Sequence, residues 1–221
     1  MKPGPLPDPP GDLPDRSITI VEFAEPVFRT HDICRNPLYF GKSCANRFDA
    51  PDRSFGVLYA GRDLYCAFIE TFAHVAGTRI ITTTALEKHA LSTLKPARPL
   101  GLVDLTQSGT LVRIGADPRL FASDHEVARR WSKALHDHPR KPDGLLYPSR
   151  LDPEKHALAL FEDRMPKIVA LDMESWYAPG PMRRILANVI EHYKLELIEN
   201  RFVVPRKPAS AARQGKLFID P

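Results

Sequence analysis

Apolar residues in this chain come mostly in short runs broken by turn residues, and most of those runs are too short for anything but strands. Ile18, Ile20 and Phe23 mark an extended piece over residues 17–23, and residues 27–29 a second. The run Gly56-Val57-Leu58-Tyr59-Ala60 is apolar throughout, as in a strand buried on both faces. Further strands are predicted over 79–83, 100–105, 144–147, 157–161, 168–171 and 195–198. Helical spacing appears in four places. Asp63 is a plausible N-cap for a helix reaching about residue 75, with Leu64, Ala67, Phe68, Thr71, Phe72 and Val75 on one face. Its other side carries Cys66, Ile69 and Ala73, so it is buried nearly all round. Thr84 with Glu87, and Ser123 with Glu126, have capping-box spacing and open a short helix and one reaching about residue 137. Pro181 begins a helix to about residue 193.

Strands and helices follow one another without a steady strand–helix–strand rhythm, which favours an α+β fold over a doubly wound sheet. Residues 34–51 hold Asn, Pro, Gly and Ser with no helical period and read as a long loop, a class often tied to function. Six prolines fall within residues 1–16, which suggests a disordered, unpacked arm. The tail, 205–221, is basic and rich in small residues and reads as loose. One folded domain over about 17–204 is the simplest division of the 221 residues.

Composition narrows the classes. The chain is 43% hydrophobic and 26% charged, a globular balance that excludes collagen, coiled coil and full disorder. No apolar stretch approaches membrane-spanning length, and the N-terminus has no signal-like pattern. The net charge of +4 comes from scattered residues rather than a stripe, which argues against direct nucleic-acid binding. Cys34, Cys44 and Cys66 show no paired spacing and read as reduced thiols of a cytoplasmic protein.

The chain has no GxGxxG, P-loop, HExxH, GxSxG or CxxC motif. His136 and His138 beside Pro139 could be metal ligands, but no cysteine or carboxylate cluster joins them, so they read as a solvated helix end and no metal is expected. Glu70 is a carboxylate in an otherwise apolar helix. That placement is costly unless the group is paired or useful, and it also fits a Glu on the one wet edge, bonded to His74. Arg47, in Asn46-Arg47-Phe48-Asp49-Ala50-Pro51, could hold a phosphate or carboxylate through its planar fork, or make a surface salt bridge to Asp49 or Asp52. Ser149, in Leu145-Leu146-Tyr147-Pro148-Ser149-Arg150, has the look of a turn serine after a strand.

The order of these pieces carries more than any one of them. An Arg in NRFDAP, a Tyr in GVLYA, a Glu eleven residues later in an apolar helix and a Ser in LLYPSR together resemble the RES-domain family, named for its Arg, Glu and Ser. The likeness runs from about Phe28-Arg29 to about Phe161, with Asn46-Arg47-Phe48 standing where the family commonly has Gly-Arg-Trp. It implies an ADP-ribosyltransferase-like fold of split mixed β-sheets with flanking helices. It implies an enzyme that consumes NAD as substrate, by hydrolysis, phosphorolysis or ADP-ribosyl transfer, often as the toxin of a toxin–antitoxin pair. By the same likeness Glu70 serves the scissile ribose, Arg29 and Arg47 hold phosphate or ribose, Tyr59 packs on the nicotinamide side, and Ser149 joins the cofactor-binding set. The partner it implies is a helical DNA-binding antitoxin; a homodimer stays open, as does a non-catalytic nucleotide- or partner-binding module on the same fold.

Overall fold

The computed structural model describes residues 4–73, 79–122 and 124–199. Among these described residues there are ten strands and five α-helices. They are β1 (Ile20–Phe23), β2 (Val27–Asp32), β3 (Val57–Gly61), α1 (Leu64–Phe72), β4 (Ile80–Thr82), α2 (Thr83–Glu87), β5 (His89–Pro96) and β6 (Leu100–Asp104). Then come α3 (Thr110–Ile114), α4 (His125–His136), β7 (Gly144–Pro148), β8 (His156–Phe161), β9 (Ile168–Ser175), α5 (Pro181–Tyr193) and β10 (Glu196–Ile198). Eight strands form one mixed sheet in the order β1-β6-β7-β8-β3-β2-β5-β9, and β10 pairs with β4 in a separate parallel pair. Within the large sheet only β6 and β7 run parallel. The α+β class and the mixed sheet with flanking helices are therefore as the sequence predicts.

The split in the sheet lies between β2 and β3. β3 pairs with β8 over the whole of Val57–Gly61, and β2 with β5 over the whole of Val27–Asp32. Between β2 and β3 only Phe28 opposite Gly61 is paired. The sheet is thus two half-sheets, β1-β6-β7-β8-β3 and β2-β5-β9, joined at one residue pair. Gly61 permits the junction because a Cβ there would lie 2.5 Å from the Ala67 backbone nitrogen and 2.7 Å from the Asp63 carbonyl oxygen. The strand therefore ends directly against the start of α1, where Asp63 caps the helix by accepting from the Cys66 N–H.

The first half-sheet is buried on both faces. Ala157, Ala159 and Phe161 of β8 pack on one side with Val103, Leu145 and α4, while Leu158 and Leu160 pack on the other with Leu58 and Leu102. A third apolar cluster joins α1, α2 and α5 around Phe68, Leu86, Trp176 and Leu186. This is why α1 is apolar nearly all round: it is wedged between the sheet and α5.

The structure corrects the sequence reading in several places. The proline-rich arm is packed: Leu6 and Leu13 are buried with Trp131, whose indole N–H donates to the Pro7 carbonyl at 2.9 Å. Arg130 also binds Asp8 at 2.6 Å. Two leucines suffice because the prolines between them already restrict the unfolded chain, so docking costs little entropy. β5 was not expected at all, and β9 extends past the predicted 168–171. Capping falls on Thr82 and Asp124 rather than on Thr84 and Ser123. His136 and His138 are buried rather than solvated: His136 contacts Asp137 and Asp163 and stacks on Phe55 at 3.9 Å, and His138 meets the Arg16 carbonyl. The tail 205–221, residues 200–204 and the expected contact from Glu70 to His74 lie outside the described residues.

Because Leu13 is 1% exposed, Leu13→Ala is expected to cost about 2–5 kcal/mol, the range for a buried leucine. Deleting residues 2–16 should lower the urea midpoint further still. An unchanged midpoint in the point variant would return the segment to an unpacked arm.

Candidate active site

The gap between the half-sheets opens into a cleft with a volume of about 270 Å³. Six parts of the chain meet there. β2 supplies Arg29, β3 supplies Tyr59, α1 supplies Glu70 and Thr71, and the long loop supplies Arg47. The end of β7 adds Tyr147 and Arg150, and the approach to α4 adds Phe121 and His125. Of the residues singled out in the sequence, Arg29, Arg47, Tyr59 and Glu70 line this one cavity.

Ser149 is brought to the site in a different way. It is 2% exposed, and its hydroxyl donates to Glu70 Oε1 at 2.5 Å. The same oxygen accepts the backbone N–H groups of Leu151 and Asp152 at 3.1 and 3.2 Å. With its lone pairs occupied by the turn, the serine has one hydrogen left, and that hydrogen is aimed at Glu70. Ser149 therefore fixes the carboxylate rather than facing the cleft. Glu70 sits in an apolar helix because that helix is the wall of the cleft, and its carboxylate is placed where wall and cavity meet.

Arg47 is held through its loop. Asp49 is fully buried, accepting the Tyr59 hydroxyl at 3.0 Å on one oxygen and the Asn46 N–H at 3.0 Å on the other. The Tyr59 hydroxyl accepts in turn from the Phe48 N–H at 2.9 Å, and Ser132 of α4 donates to the Phe48 carbonyl at 2.6 Å. Arg129 donates to the Asn46 carbonyl at 3.1 Å. Both residues flanking Arg47 are thus clamped, and Arg47 reaches the Leu120 carbonyl at 3.5 Å. Asp49 is not a surface partner for Arg47; it is the buried anchor of the loop. Nothing in the sequence marked Asp49 for that task, although its position two residues from Arg47 and its distance from Tyr59 are what make the clip.

The cleft is electropositive. Arg29, Arg47 and Arg150 line it with a single carboxylate, Glu70. Arg29 donates to the Tyr39 carbonyl at 2.9 Å, and burial lowers its pKa to about 10. Burial also lowers that of Arg47, followed by the like charge of Arg150. Burial holds the Tyr59 and Tyr147 phenols well above their ordinary range, Asp49 adding to it for Tyr59 and Glu70 for Tyr147. The Cys66 thiol beneath Glu70 is pushed up by burial and then by that carboxylate, which makes it inert. Crowded cations of this kind favour an anionic ligand, and the planar forks suit phosphate oxygens. Among the described residues, no group of three or more His, Cys, Asp or Glu could hold a metal ion.

The RES-domain family matches residues 26–180, more than half of the chain. The chain belongs to the RES-domain family. Every residue of the cleft named above lies inside that span. A protein of Sinorhizobium fredii described as probable toxin y4kH is 35% identical over 126 residues, which are 55% of this chain and 93% of that protein. A chain in the crystal structure of the M. tuberculosis MbcT–MbcA toxin–antitoxin complex matches the fold with a TM-score of 0.57 at 17% identity, over 76% of this chain and 92% of that one. This RES domain adds Asp49, Phe121, His125, Tyr147 and Arg150 to what the sequence picked out. Arg150 follows Ser149 directly and could have been read with it.

Asp49→Ala removes two acceptors at once and leaves the Tyr59 hydroxyl and the Asn46 N–H without them. At about 1–3 kcal/mol for the stranded Tyr59 hydroxyl, with the loop contact at Asn46 lost as well, the variant should melt below wild type. Tyr59→Phe, which keeps the ring but strands the Phe48 N–H and one Asp49 oxygen, should lose a comparable amount. Equal melting temperatures for Asp49→Ala and wild type would rule out the clip.

Proposed function

We propose that this RES-domain protein is an enzyme that consumes NAD by cleaving its nicotinamide–ribose bond. The observation that carries this reading is the meeting, in one cleft, of three arginines with a single carboxylate whose position a buried serine fixes. NAD offers a matching set of features: a pyrophosphate for the arginines and a scissile ribose for the carboxylate.

Breaking the bond between the sugar and nicotinamide develops positive charge on the ribose, as in glycoside cleavage. Glu70 can bind a ribose hydroxyl and stabilise that charge, and because Ser149 holds it in advance, little reorganisation is needed. Arg29, Arg47 and Arg150 would grip the pyrophosphate and keep the sugar in place for attack. The Tyr59 hydroxyl is engaged with Asp49 and Phe48, so what Tyr59 offers a ligand is its ring, which can pack on the nicotinamide side. Water, phosphate or a protein side chain would complete the reaction as acceptor.

The toxin description of the Sinorhizobium relative supports reading this protein as a toxin. The MbcT–MbcA complex supports an antitoxin partner. We take that partner to be a helical, DNA-binding antitoxin that neutralises the enzyme by covering the cleft.

Incubation of the purified protein with NAD, with and without phosphate, followed by product analysis, tests the reaction and identifies the acceptor. NAD binding without nicotinamide release would make the protein a nucleotide-binding module instead. Arg47→Ala should weaken NAD binding about ten- to a hundredfold, the effect of losing one charge-assisted contact of roughly 1.5–3 kcal/mol. Arg47→Lys should recover only part of it. Glu70→Gln should lower turnover about a hundredfold or more and change binding far less, because its contact strengthens as charge develops. A folded Glu70→Gln variant that releases nicotinamide at the wild-type rate would remove Glu70 from the chemistry.

A further inference from the structure

Tyr147 lines the cleft yet is only 8% exposed, and its hydroxyl has no hydrogen-bond partner among the described residues. Its ring is fixed by packing. Phe48 meets it edge-on at 4.7 Å and Phe121 lies nearly parallel at 6.3 Å. Glu70 and Arg47 line the same cleft. The hydroxyl is not among the sealed, unpartnered polar atoms of the described residues; it opens on the cleft, where a ligand can complete its hydrogen bonding. Tyr59 shows the contrast: it is the other tyrosine of the cleft, and its hydroxyl is fully used in holding the loop.

We propose that Tyr147 is a substrate-binding residue whose hydroxyl donates a hydrogen bond to the same ribose hydroxyl that Glu70 accepts from. The proposal rests on the reading of the cleft as an NAD site. A sugar hydroxyl both donates and accepts, so it is completed by one acceptor and one donor side by side. Glu70 is the acceptor, and its other oxygen contact is already taken by Ser149. Tyr147 is the donor: burial and the Glu70 charge keep the proton on the phenol, so it does not serve as a base.

Tyr147→Phe isolates this role because it leaves the ring, and so the packing on Phe48 and Phe121, in place. The purified variant and wild type are compared by thermal melting, by calorimetric NAD binding and by nicotinamide release. The expected result is a melting temperature equal to or above wild type, together with a fall of about five- to tenfold in kcat/KM, the loss expected for one neutral hydrogen bond. Activity within twofold of wild type overturns the proposal. So does a drop in melting temperature with activity falling only in step with the unfolded fraction, since that would make the hydroxyl structural. If wild type itself neither binds NAD nor releases nicotinamide, the NAD reading fails and this proposal falls with it, a result distinct from an active wild type with an equally active variant.

Discussion

Strands β2 and β3 touch through one residue pair, Phe28 with Gly61, and the rest of the site depends on that economy. A full ladder between them would bring the two strands to ordinary sheet spacing and leave no room for a ligand. One pair is enough to keep the half-sheets in register while their side chains diverge. Arg29 and Tyr59 then face a shared space instead of a neighbouring strand. Gly61 makes the arrangement affordable in steric terms, because α1 begins so close that no side chain would fit. The same closeness carries Glu70, almost two turns into α1, to the edge of the opening.

Charge in the cleft is held in place mostly by contacts that are not themselves ion pairs. Arg29 leans on a backbone carbonyl, Glu70 on a serine hydroxyl, and the Arg47 loop on a buried carboxylate that spends both oxygens on hydrogen bonds. Among the described residues that line the cleft, three arginines stand against one carboxylate. Had each arginine been matched with its own carboxylate, an incoming anion would have had to compete for it. Pre-set groups in a partly dry site are worth more than the same groups in water.

Much of this was legible in the chain. The GVLYA run, the Asp63 cap and the apolar helix around Glu70 were readable because each follows local rules of period and capping. β5 was not, because its residues are buried on both faces near Ala90–Ser92 and partly exposed elsewhere, so HALSTLKP shows neither alternation nor a clean apolar run. Its status as a strand comes from β2 and β9 on either side. Asp49 and Tyr147 were invisible for a related reason. What distinguishes them is which distant groups they meet, and a single sequence carries no record of that. The first sixteen residues misled in the opposite direction, since composition suggested disorder while two leucines decided the packing.

That packing also sets an order of events during synthesis. Pro7 and Asp8 find their partners on Trp131 and Arg130, more than 120 residues further along. A growing chain exposes Leu6 and Leu13 long before α4 exists to cover them, and the prolines keep that stretch from settling into a helix or ladder of its own in the interval. α4 in turn holds both carbonyls that flank Arg47. The early segment and the arginine loop therefore wait on the same helix, and the cleft is completed only after the ribosome has passed it.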